Sequence, residues 1–513
     1  MATMSGTREN SPRRCSPQDS LTSPPSRATC FHWRQCKCWC ADDVFGPRTS
    51  RWSRSGKAGR LRVHCHHPQR ATCARRNRRQ VFVSCHLRHL LHHPHKRRRA
   101  RGVPLGQLPP RWQLDPSGRL SRLAGTPEAN DMIDFSLPNE VQMLVSTVKR
   151  FVENELNPLE DEIERTNAID PSVAEGLKQK ARELGLWAMH MPQEVGGGGL
   201  SAVEFCLVNE QIGRTKDVLA RRAFGHVPSI LVHCTGEQRE KYLHAAMRGD
   251  IHVSVAMSEP EAGSDANGIR TAVKRDGCEW ILNGSKHFIS DADIASAYIV
   301  TARSEEGISC FLVDRDTPGL ELGPIQEMMG HRGTHQHGLF FTDCRIAPQQ
   351  LLGEPGRGMS LVLGHLNVAR LAYVGARAVG MASKLLEMSV DFAKQRSQFG
   401  APIGSFQMVQ KMLADMQCEI YGARMMLLNA AWEIDQGRDV REKVSMVKLF
   451  ASEMLGRVAD SAVQIFGGMG YCTELPIERY YRDARVFRLY DGTSEIHRIM
   501  IARRLLERGI SLL

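Results

Sequence analysis

The chain has 513 residues, and its 68 Lys and Arg against 56 Asp and Glu give a net charge of +12. No apolar run approaches the ~18–20 residues that a membrane-spanning helix needs, which excludes an anchor of that kind. Residues 1–131 contain 26 Lys and Arg but 7 Asp and Glu, a net of +19 that leaves −7 for residues 132–513. Nucleic acid is therefore not an expected partner of the larger part.

Residues 1–131 lack a periodic apolar pattern and hold 8 of the 15 cysteines and 9 of the 20 histidines. Three functions are weighed for this segment. The cysteines and histidines lack the paired spacing of a zinc site, and the runs of like charge that could bind nucleic acid are usually just solvated. A targeting peptide is normally shorter and poorer in Cys and His. The residues weighed for zinc or nucleic acid are Cys30, Cys36, Cys38, Cys40, His64, Cys65, Cys73, Arg75, Arg76, Arg78, Arg79 and Lys96 to Arg99. We interpret this segment as a disordered basic leader outside the native protein, whose natural start is Met132.

Residues 132–250 are predicted to form an N-terminal α-helical domain. After Leu137-Pro138, apolar residues at helical spacing share one face of a first helix. Asp170-Pro171 and Gly185 are start and stop signals of a second helix. These apolar positions are Val141, Leu144, Val148 and Phe151, and the glycine-rich stretch 192–200 is predicted to be a loop.

Residues 251–357 show the alternation of strands and predict a small middle β-domain. Asp276-Gly277 and Asn283-Gly284 flank a short apolar run, which indicates a hairpin. Residues 358–513 return to helical spacing and predict a C-terminal helical bundle. Its clearest stripe consists of Val447, Phe450, Met454, Val458, Ala462 and Ile465, closed by Gly467-Gly468.

The seven cysteines of residues 132–513 are scattered, which favours reduced thiols and a cytoplasmic location, or a mitochondrial matrix if the source is eukaryotic. No metal site is expected in this part of the chain.

Asp491 lies in the sequence Tyr490 to Arg498, where a Gly and two hydroxyl residues follow the acid. Gly492 tolerates unusual backbone angles, and Thr493 or Ser494 can cap a following helix with apolar positions Ile496, Ile499 and Leu505. Asp-Gly is also a common turn pair, so this segment alone does not establish a catalytic acid.

Four other segments accompany this acid. They are Met257 to Asp265, Asn283 to Ser290, Leu366 to Arg370, and Gln395 to Gly400 with Phe406-Gln407. Together with the Asp491 segment they resemble the acyl-CoA dehydrogenase family, from about residue 134 to 508. The resemblance implies an α+β fold with an N-terminal helical domain, a middle β-domain and a C-terminal four-helix bundle.

The family's catalytic base is usually a Glu, which is here Asp491. The resemblance implies FAD as the cofactor, bound by Met257, Ser258, Phe288, Ser290, Arg396, Phe399, Gln464, Gly467, Gly468, Thr493 and Glu495. It implies substrate contacts from Ser264, Asn367, Arg370, Tyr490 and Gly492. Some branches keep their base on the helix at the position of Ala369, which cannot accept a proton.

The implied reaction is α,β-dehydrogenation of an acyl-CoA thioester, with the β-hydride passing to flavin N5. In the family the thioester oxygen is held by the peptide N–H of the base and a flavin ribityl hydroxyl. An electron-transferring flavoprotein is the implied acceptor, and a homo-oligomer, dimer or tetramer, is implied by the segment around Arg396, which in the family reaches the FAD of a neighbouring subunit.

Asp is one methylene shorter than Glu, which leaves two alternatives open. The first is an oxidase similar to nitroalkane oxidase, a relative with an Asp base that passes electrons to oxygen. The second is a non-catalytic relative that binds acyl-CoA, against which the flavin-binding segments argue.

Overall fold

The computed structural model describes residues 112–114, 120–122 and 136–509. Two short strands, β1 (Trp112–Leu114) and β2 (Leu120–Arg122), form an antiparallel pair of their own. Apart from these six residues, the predicted leader lies outside the described part of the chain, so its assignment stays a prediction.

Residues 139–248 form helices, as predicted. α1 follows Pro138 and buries the apolar face that contains Val148 and Phe151. Asp170 caps α3, because its side chain accepts from the N–H groups of Ser172 and Val173. The helices are α1 (Asn139–Phe151), α2 (Glu160–Thr166), α3 (Pro171–Glu183), α4 (Ala202–Ile212), α5 (Asp217–Phe224) and α6 (Ala245–Arg248).

An eight-stranded sheet forms the middle of the chain, with the order β10-β7-β6-β4-β5-β9-β8 and β3 parallel to β6. Most neighbouring strands are antiparallel, and their alternating side chains form one apolar core around Trp280 and Phe311. The strands are β3 (Val253–Ala256), β4 (Ala272–Asp276), β5 (Glu279–Ser290), β6 (Ala297–Ser304), β7 (Gly307–Asp314), β8 (Leu320–Ile325), β9 (Gln336–Ile346) and β10 (Leu351–Leu352).

The two Gly pairs of the predicted hairpin have different roles. Asp276-Gly277 begins the turn between β4 and β5, as expected. Asn283-Gly284 instead lies inside β5, where the pairing with β9 shifts register. Gly284 has φ +139, and a Cβ there would stand 2.6 Å from the Cα of Thr271, so a close backbone approach explains this glycine.

Helices form the rest of the chain. The predicted stripe on α10 packs against α8, α9, α12 and α13, and Val447, Met454 and Val458 are buried. Here α7 is Gly358–Ala369, α8 is Arg377–Gln395, α9 is Gln407–Asp435, α10 is Arg441–Phe466, α11 is Gly468–Tyr471, α12 is Ile477–Val486 and α13 is Ser494–Arg508, with the small hairpin β11 (Ser397–Gln398) and β12 (Ala401–Pro402) between α8 and α9.

The predicted succession of helical, β and helical domains is confirmed. The helix expected after Thr493 is present as α13, and on its surface Ile499 is 53% and Leu505 is 39% exposed. The seven cysteines of residues 136–509 are all free thiols. None of the helices described is long and apolar enough to cross a membrane.

Candidate active site

Asp491 lies in the turn between α12 and α13, and its backbone has the left-handed φ of +54. Few non-Gly residues adopt this conformation, and Asp is among the more tolerant ones. Gly492 continues the turn with φ +96, and a Cβ there would meet Nε2 of His497 at 2.9 Å. Thr493 then caps α13, because its hydroxyl accepts from the N–H of Ile496 at 3.3 Å. The turn therefore fixes the direction of the Asp491 side chain.

Three side chains from three different segments hold the peptide carbonyls of this turn. Nε of Arg370 donates to the carbonyl of Asp491 at 2.8 Å, and Nε2 of His497 lies 3.2 Å from the same oxygen. Nζ of Lys448, on α10, donates to the carbonyl of Gly492 at 2.6 Å. Arg370 begins a π-helical segment, Arg370–Ala376, a distortion that is frequent at functional sites.

The carboxylate of Asp491 is poorly solvated. Its pKa is raised above the ordinary value by desolvation, against the opposing charges of Arg370, Lys448 and Arg221. Burial also lowers the pKa of Lys448 to about 8 and that of His497 to about 4, so His497 is neutral near pH 7. An acid whose pKa moves towards neutrality is suited to proton transfer.

The peptide N–H of Asp491 differs from that of Tyr490 in having no backbone acceptor among the residues described. Within residues 136–509, this N–H donates no backbone hydrogen bond, whereas those of Tyr490 and Ser494 do. A free N–H beside a carboxylate can bind the oxygen of a carbonyl compound.

A small cavity adjoins the turn at Tyr490. Its wall includes the ion-paired Asp217 and Arg377, together with Tyr373 and Phe487. Asp491 itself does not line this cavity, whose charged wall is unlike an acyl-chain pocket. We therefore assign no acyl group to it.

A second group of predicted residues lies at the edge of the middle sheet. The ring of Phe288 is 61% exposed, and its φ of +57 falls where the pairing of β5 with β9 shifts. Ser290, two residues on, exchanges hydrogen bonds with the Gln336 amide at 2.8 and 3.1 Å. The carbonyl of Ser258 accepts from the N–H of His287 at 2.8 Å, which joins the segment of Met257 and Ser258 to β5.

A buried ion pair supports the Met257 segment. Nζ of Lys286 donates to Oε1 of Glu259 at 2.8 Å and to the carbonyl of Met257 at 3.1 Å. Glu259 also accepts from the N–H groups of Arg270 and Thr271. The loop is thus held in one conformation from inside the sheet.

The other predicted residues lie on separate, mostly exposed elements. Arg396 and Phe399 stand on the β11–β12 hairpin, where Phe399 is 96% exposed. Asn367 is half-buried on α7, one turn before Arg370. The remaining exposed residues are Ser264 in the loop before β4, Gln464, Gly467 and Gly468 at the end of α10, and Glu495 in the first turn of α13. The structure thus brings Asp491, Arg370, Tyr490, Gly492 and Thr493 together, and the others form separate groups.

Sequence models of three domains match the chain: Acyl-CoA dehydrogenase, N-terminal domain, over residues 138–250, the middle domain over 254–344 and the C-terminal domain over 356–506. Short-chain specific acyl-CoA dehydrogenase, mitochondrial, from Homo sapiens is 37% identical over 379 residues, which are 72% of this chain and 91% of that protein. The chain belongs to the acyl-CoA dehydrogenase family.

Solved structures agree with this assignment. Butyryl-CoA dehydrogenase from Megasphaera elsdenii shows 30% identity and a TM-score of 0.67, over 73% of this chain and 100% of that one. A chain in the structure described as the electron transferring flavoprotein of Acidaminococcus fermentans shows 33% identity and a TM-score of 0.68, with the same two coverages. The predicted family, the oxidoreductase class and the FAD cofactor are confirmed.

The residues at the sheet edge fit a flavin of this family. Phe288 presents an exposed aromatic ring from a strained backbone position, and such strain usually persists where a ligand site requires it. The hydroxyl of Ser290, two residues on, is paired with the Gln336 amide. A flat aromatic ring can therefore stack on Phe288.

Sequence reasoning missed four residues that shape the site. Lys448 and His497 hold the turn, Arg221 acts on Asp491 through its charge, and Lys286 fixes the Met257 segment. Lys448 had a usable signal, since it is a charged residue on the apolar face of a helix that also presents Val447 and Met454. The others had no distinctive pattern in the sequence.

Proposed function

We propose that the protein dehydrogenates an acyl-CoA thioester between its α and β carbons, with Asp491 as the catalytic base. Bound FAD supplies the electron acceptor for the β-hydride. The carboxylate of Asp491 removes the α-proton, and its peptide N–H binds the thioester oxygen, where negative charge develops.

One observation carries this proposal: the base sits in a turn whose two carbonyls are held by Arg370, Lys448 and His497. The anchored backbone limits the positions that the carboxylate can take, and such positioning is worth a large part of the barrier. The raised pKa of Asp491 makes its carboxylate a stronger base than an exposed Asp.

The position on α7 at which the family can carry its base offers no second candidate here. The position at which some family members carry the base is Ala369, which is buried and cannot accept a proton. Asn367 and Arg370 flank it, and neither is a base near neutral pH. Asp491 therefore remains the candidate for the base that removes the α-proton.

The shorter side chain of Asp491 bears on the choice of substrate. Its oxygens reach about 1.5 Å less than those of a Glu, by one C–C bond length, and a 1 Å misplacement can cost ~100-fold in rate. We infer that the substrate's α-carbon lies closer to the turn than it would with a Glu base. The chain length and branching of the acyl group are left open.

A nitroalkane oxidase-like activity is the second candidate, since it also uses an Asp base. In that case electrons pass to oxygen and peroxide forms. A non-catalytic acyl-CoA-binding protein is the third candidate, and it gains no support from the exposed Phe288 ring, which suits a bound flavin.

We further propose an electron-transferring flavoprotein as the acceptor and a homo-oligomer as the assembly. The exposed hairpin with Arg396 and Phe399 suits contact with the FAD of a neighbouring subunit, because Arg forms bidentate bonds to phosphates. Phe399, which is 96% exposed beside Arg396, would be covered by such a contact.

The experiment is an anaerobic titration of the purified yellow protein with acyl-CoAs of increasing length. Bleaching of the flavin by an acyl-CoA, without peroxide formation from nitroalkanes in air, supports the dehydrogenase. Peroxide from nitroalkanes with no bleaching by any acyl-CoA assigns the oxidase. A colourless protein that takes up no FAD assigns the non-catalytic relative.

A further inference from the structure

Three potential metal ligands converge at the edge of the middle sheet, away from the Asp491 turn. Asp293 lies in the turn after β5, His335 immediately precedes β9, and His337 is the second residue of β9. One oxygen or nitrogen atom from each lies within 4.8 Å of the others. The two histidines are two positions apart in an extended segment, so their rings point to the same side.

Both imidazole rings are oriented by backbone carbonyls on their far side. Nε2 of His335 lies 2.9 Å from the carbonyl of Asn167, and Nδ1 of His337 lies 2.9 Å from the carbonyl of Gly323. A carbonyl only accepts, so each of these nitrogens carries the proton. In a neutral ring the other nitrogen then presents a bare lone pair. Metal-binding histidines are commonly oriented in this way.

The two bare nitrogens face the same carboxylate. Nδ1 of His335 lies 2.7 Å from Oδ2 of Asp293, and Nε2 of His337 lies 3.9 Å from Oδ1. Within residues 136–509, Oδ1 of Asp293 and Nε2 of His337 are buried and have no hydrogen-bond partner. A lone pair that faces a carboxylate requires either a further proton on the ring or a cation between them.

We propose that Asp293, His335 and His337 bind one divalent transition-metal ion, with Zn²⁺ as the best match. Two imidazole nitrogens and one carboxylate oxygen are the donors of three-ligand zinc sites, in which water takes the fourth position. Ligands about 2.0–2.1 Å from a tetrahedral ion are roughly 3.3 Å apart. The separations of 2.7 Å to Oδ2 and 3.9 Å to Oδ1 of Asp293 lie on either side of this value, and the three donor atoms lie within 4.8 Å of one another.

The surroundings support a transition metal rather than Mg²⁺ or Ca²⁺, which prefer oxygen ligands. The side chain of His337 is 5% exposed, whereas those of His335 and Asp293 are 20% and 29% exposed. The open side is thus towards solvent, from which the ion and its water can enter.

The site joins two domains next to the flavin-contacting strand. Asn167 ends α2 of the helical domain, and its side-chain oxygen accepts from the N–H of Gly333 at 2.8 Å. Gln336, between the two histidines, bonds to Ser290. A bound ion would fasten residues 335–337 to the turn after β5, while His335 stays bonded to the carbonyl of Asn167. Its role is structural, and it takes no part in the proposed hydride transfer.

The test uses the full-length, FAD-loaded protein, stripped with a chelator, reloaded with ZnCl₂ and freed of excess metal by gel filtration. Zinc per chain is counted by mass spectrometry in the wild type, His335→Gln and the control His233→Gln, an exposed histidine outside the cluster. Because the Cys and His residues of the leader can also bind zinc, the informative quantity is the difference in zinc content between wild type and each variant. We expect His335→Gln to lose one zinc per chain and His233→Gln to lose none.

A second measurement does not depend on any variant. Crystals of the wild type soaked in ZnCl₂ should show an anomalous peak at the zinc edge among the three side chains. If His335→Gln is poorly folded, Asp293→Asn replaces it in the zinc count. Equal zinc in all variants, together with no peak at this position, would overturn the proposal and leave His335 as a protonated partner of Asp293.

Discussion

Nε of Arg370 donates a 2.8 Å hydrogen bond to the backbone carbonyl of Asp491, so this arginine holds the peptide of the proposed base. Arg370 was expected to contact the substrate, and that role stays a prediction. The same contact gives it an influence on the base, because its positive charge lowers the pKa of Asp491 against the effect of desolvation. Arg370 thus influences both the position and the acidity of the base.

The first prediction concerns this charge. In Arg370→Gln the pKa of Asp491 should rise further, because an opposing positive charge is removed. A base works when it is ionised, so the acidic limb of the kcat/KM profile should move to higher pH. The measurement is the pH dependence of turnover, with Arg357→Gln, an exposed arginine beside α7, as the control. An acidic limb at the wild-type pH in Arg370→Gln would show that this charge does not act on the base.

The second prediction concerns Lys448, whose pKa is lowered from 10.5 to about 8 by burial. Between these values the unfolded chain binds a proton on Lys448 and the folded chain does not. The contribution of Lys448 to the free energy of unfolding therefore becomes more favourable as the pH rises. Lys448→Met should lose this contribution. We expect its unfolding midpoint to fall relative to wild type between about pH 8 and pH 10, while the exposed Lys394→Met shows no such trend. If the unfolding midpoints of wild type and Lys448→Met differed by the same amount at every pH, the lowered pKa of Lys448 would be refuted.

The third prediction separates the effect of a strained backbone angle from the effect of a steric contact with His497. Gly492→Ala and Gly437→Ala both place an Ala at positive φ, +96 and +69, and each should lose about 1–2 kcal/mol of stability. Only the Cβ at residue 492 meets a neighbour, Nε2 of His497, whereas nothing lies within 4 Å at residue 437. Gly492→Ala should therefore also slow flavin reduction by ~100-fold. Equal flavin reduction in the two variants would mean that the turn tolerates displacement.

The fourth prediction concerns the buried pair of Lys286 and Glu259, whose side chains are 0% and 2% exposed. Lys286→Met leaves Glu259 without its cation and should cost about 3–5 kcal/mol. It also frees the carbonyl of Met257, so the variant should retain less FAD per chain. The double variant Lys286→Met with Glu259→Gln should recover part of the stability, because no charge is left unpaired. FAD content and denaturant unfolding measure both effects.

Much of the fold followed from local patterns in the sequence. The Asp170-Pro171 start and the Gly467 stop reflect interactions between near neighbours. Asn283-Gly284 was misjudged as the edge of a hairpin, because its glycine is required by the close approach of Thr271, a contact that the local sequence does not show.

The same distinction between local patterns and contacts that are distant in sequence holds for the candidate active site. The Asp-Gly turn and its cap at Thr493 could be predicted, since both are properties of consecutive residues. Lys448 and Arg370 reach the turn from 44 and 121 residues away in the sequence, and only the tertiary fold brings them there. The convergence of Asp293 with His335 and His337 is also a property of the folded sheet, so it gave no sequence signal.

The role of Asp491 is tested most directly by the rate at which an acyl-CoA reduces the bound flavin in a single anaerobic turnover. The substrate is the acyl-CoA that bleaches the wild type fastest, and Asp491→Asn is compared at equal FAD content. Without a base, flavin reduction should slow by about 10²–10⁴-fold. Flavin reduction at the wild-type rate in Asp491→Asn would contradict the assignment of Asp491 as the catalytic base.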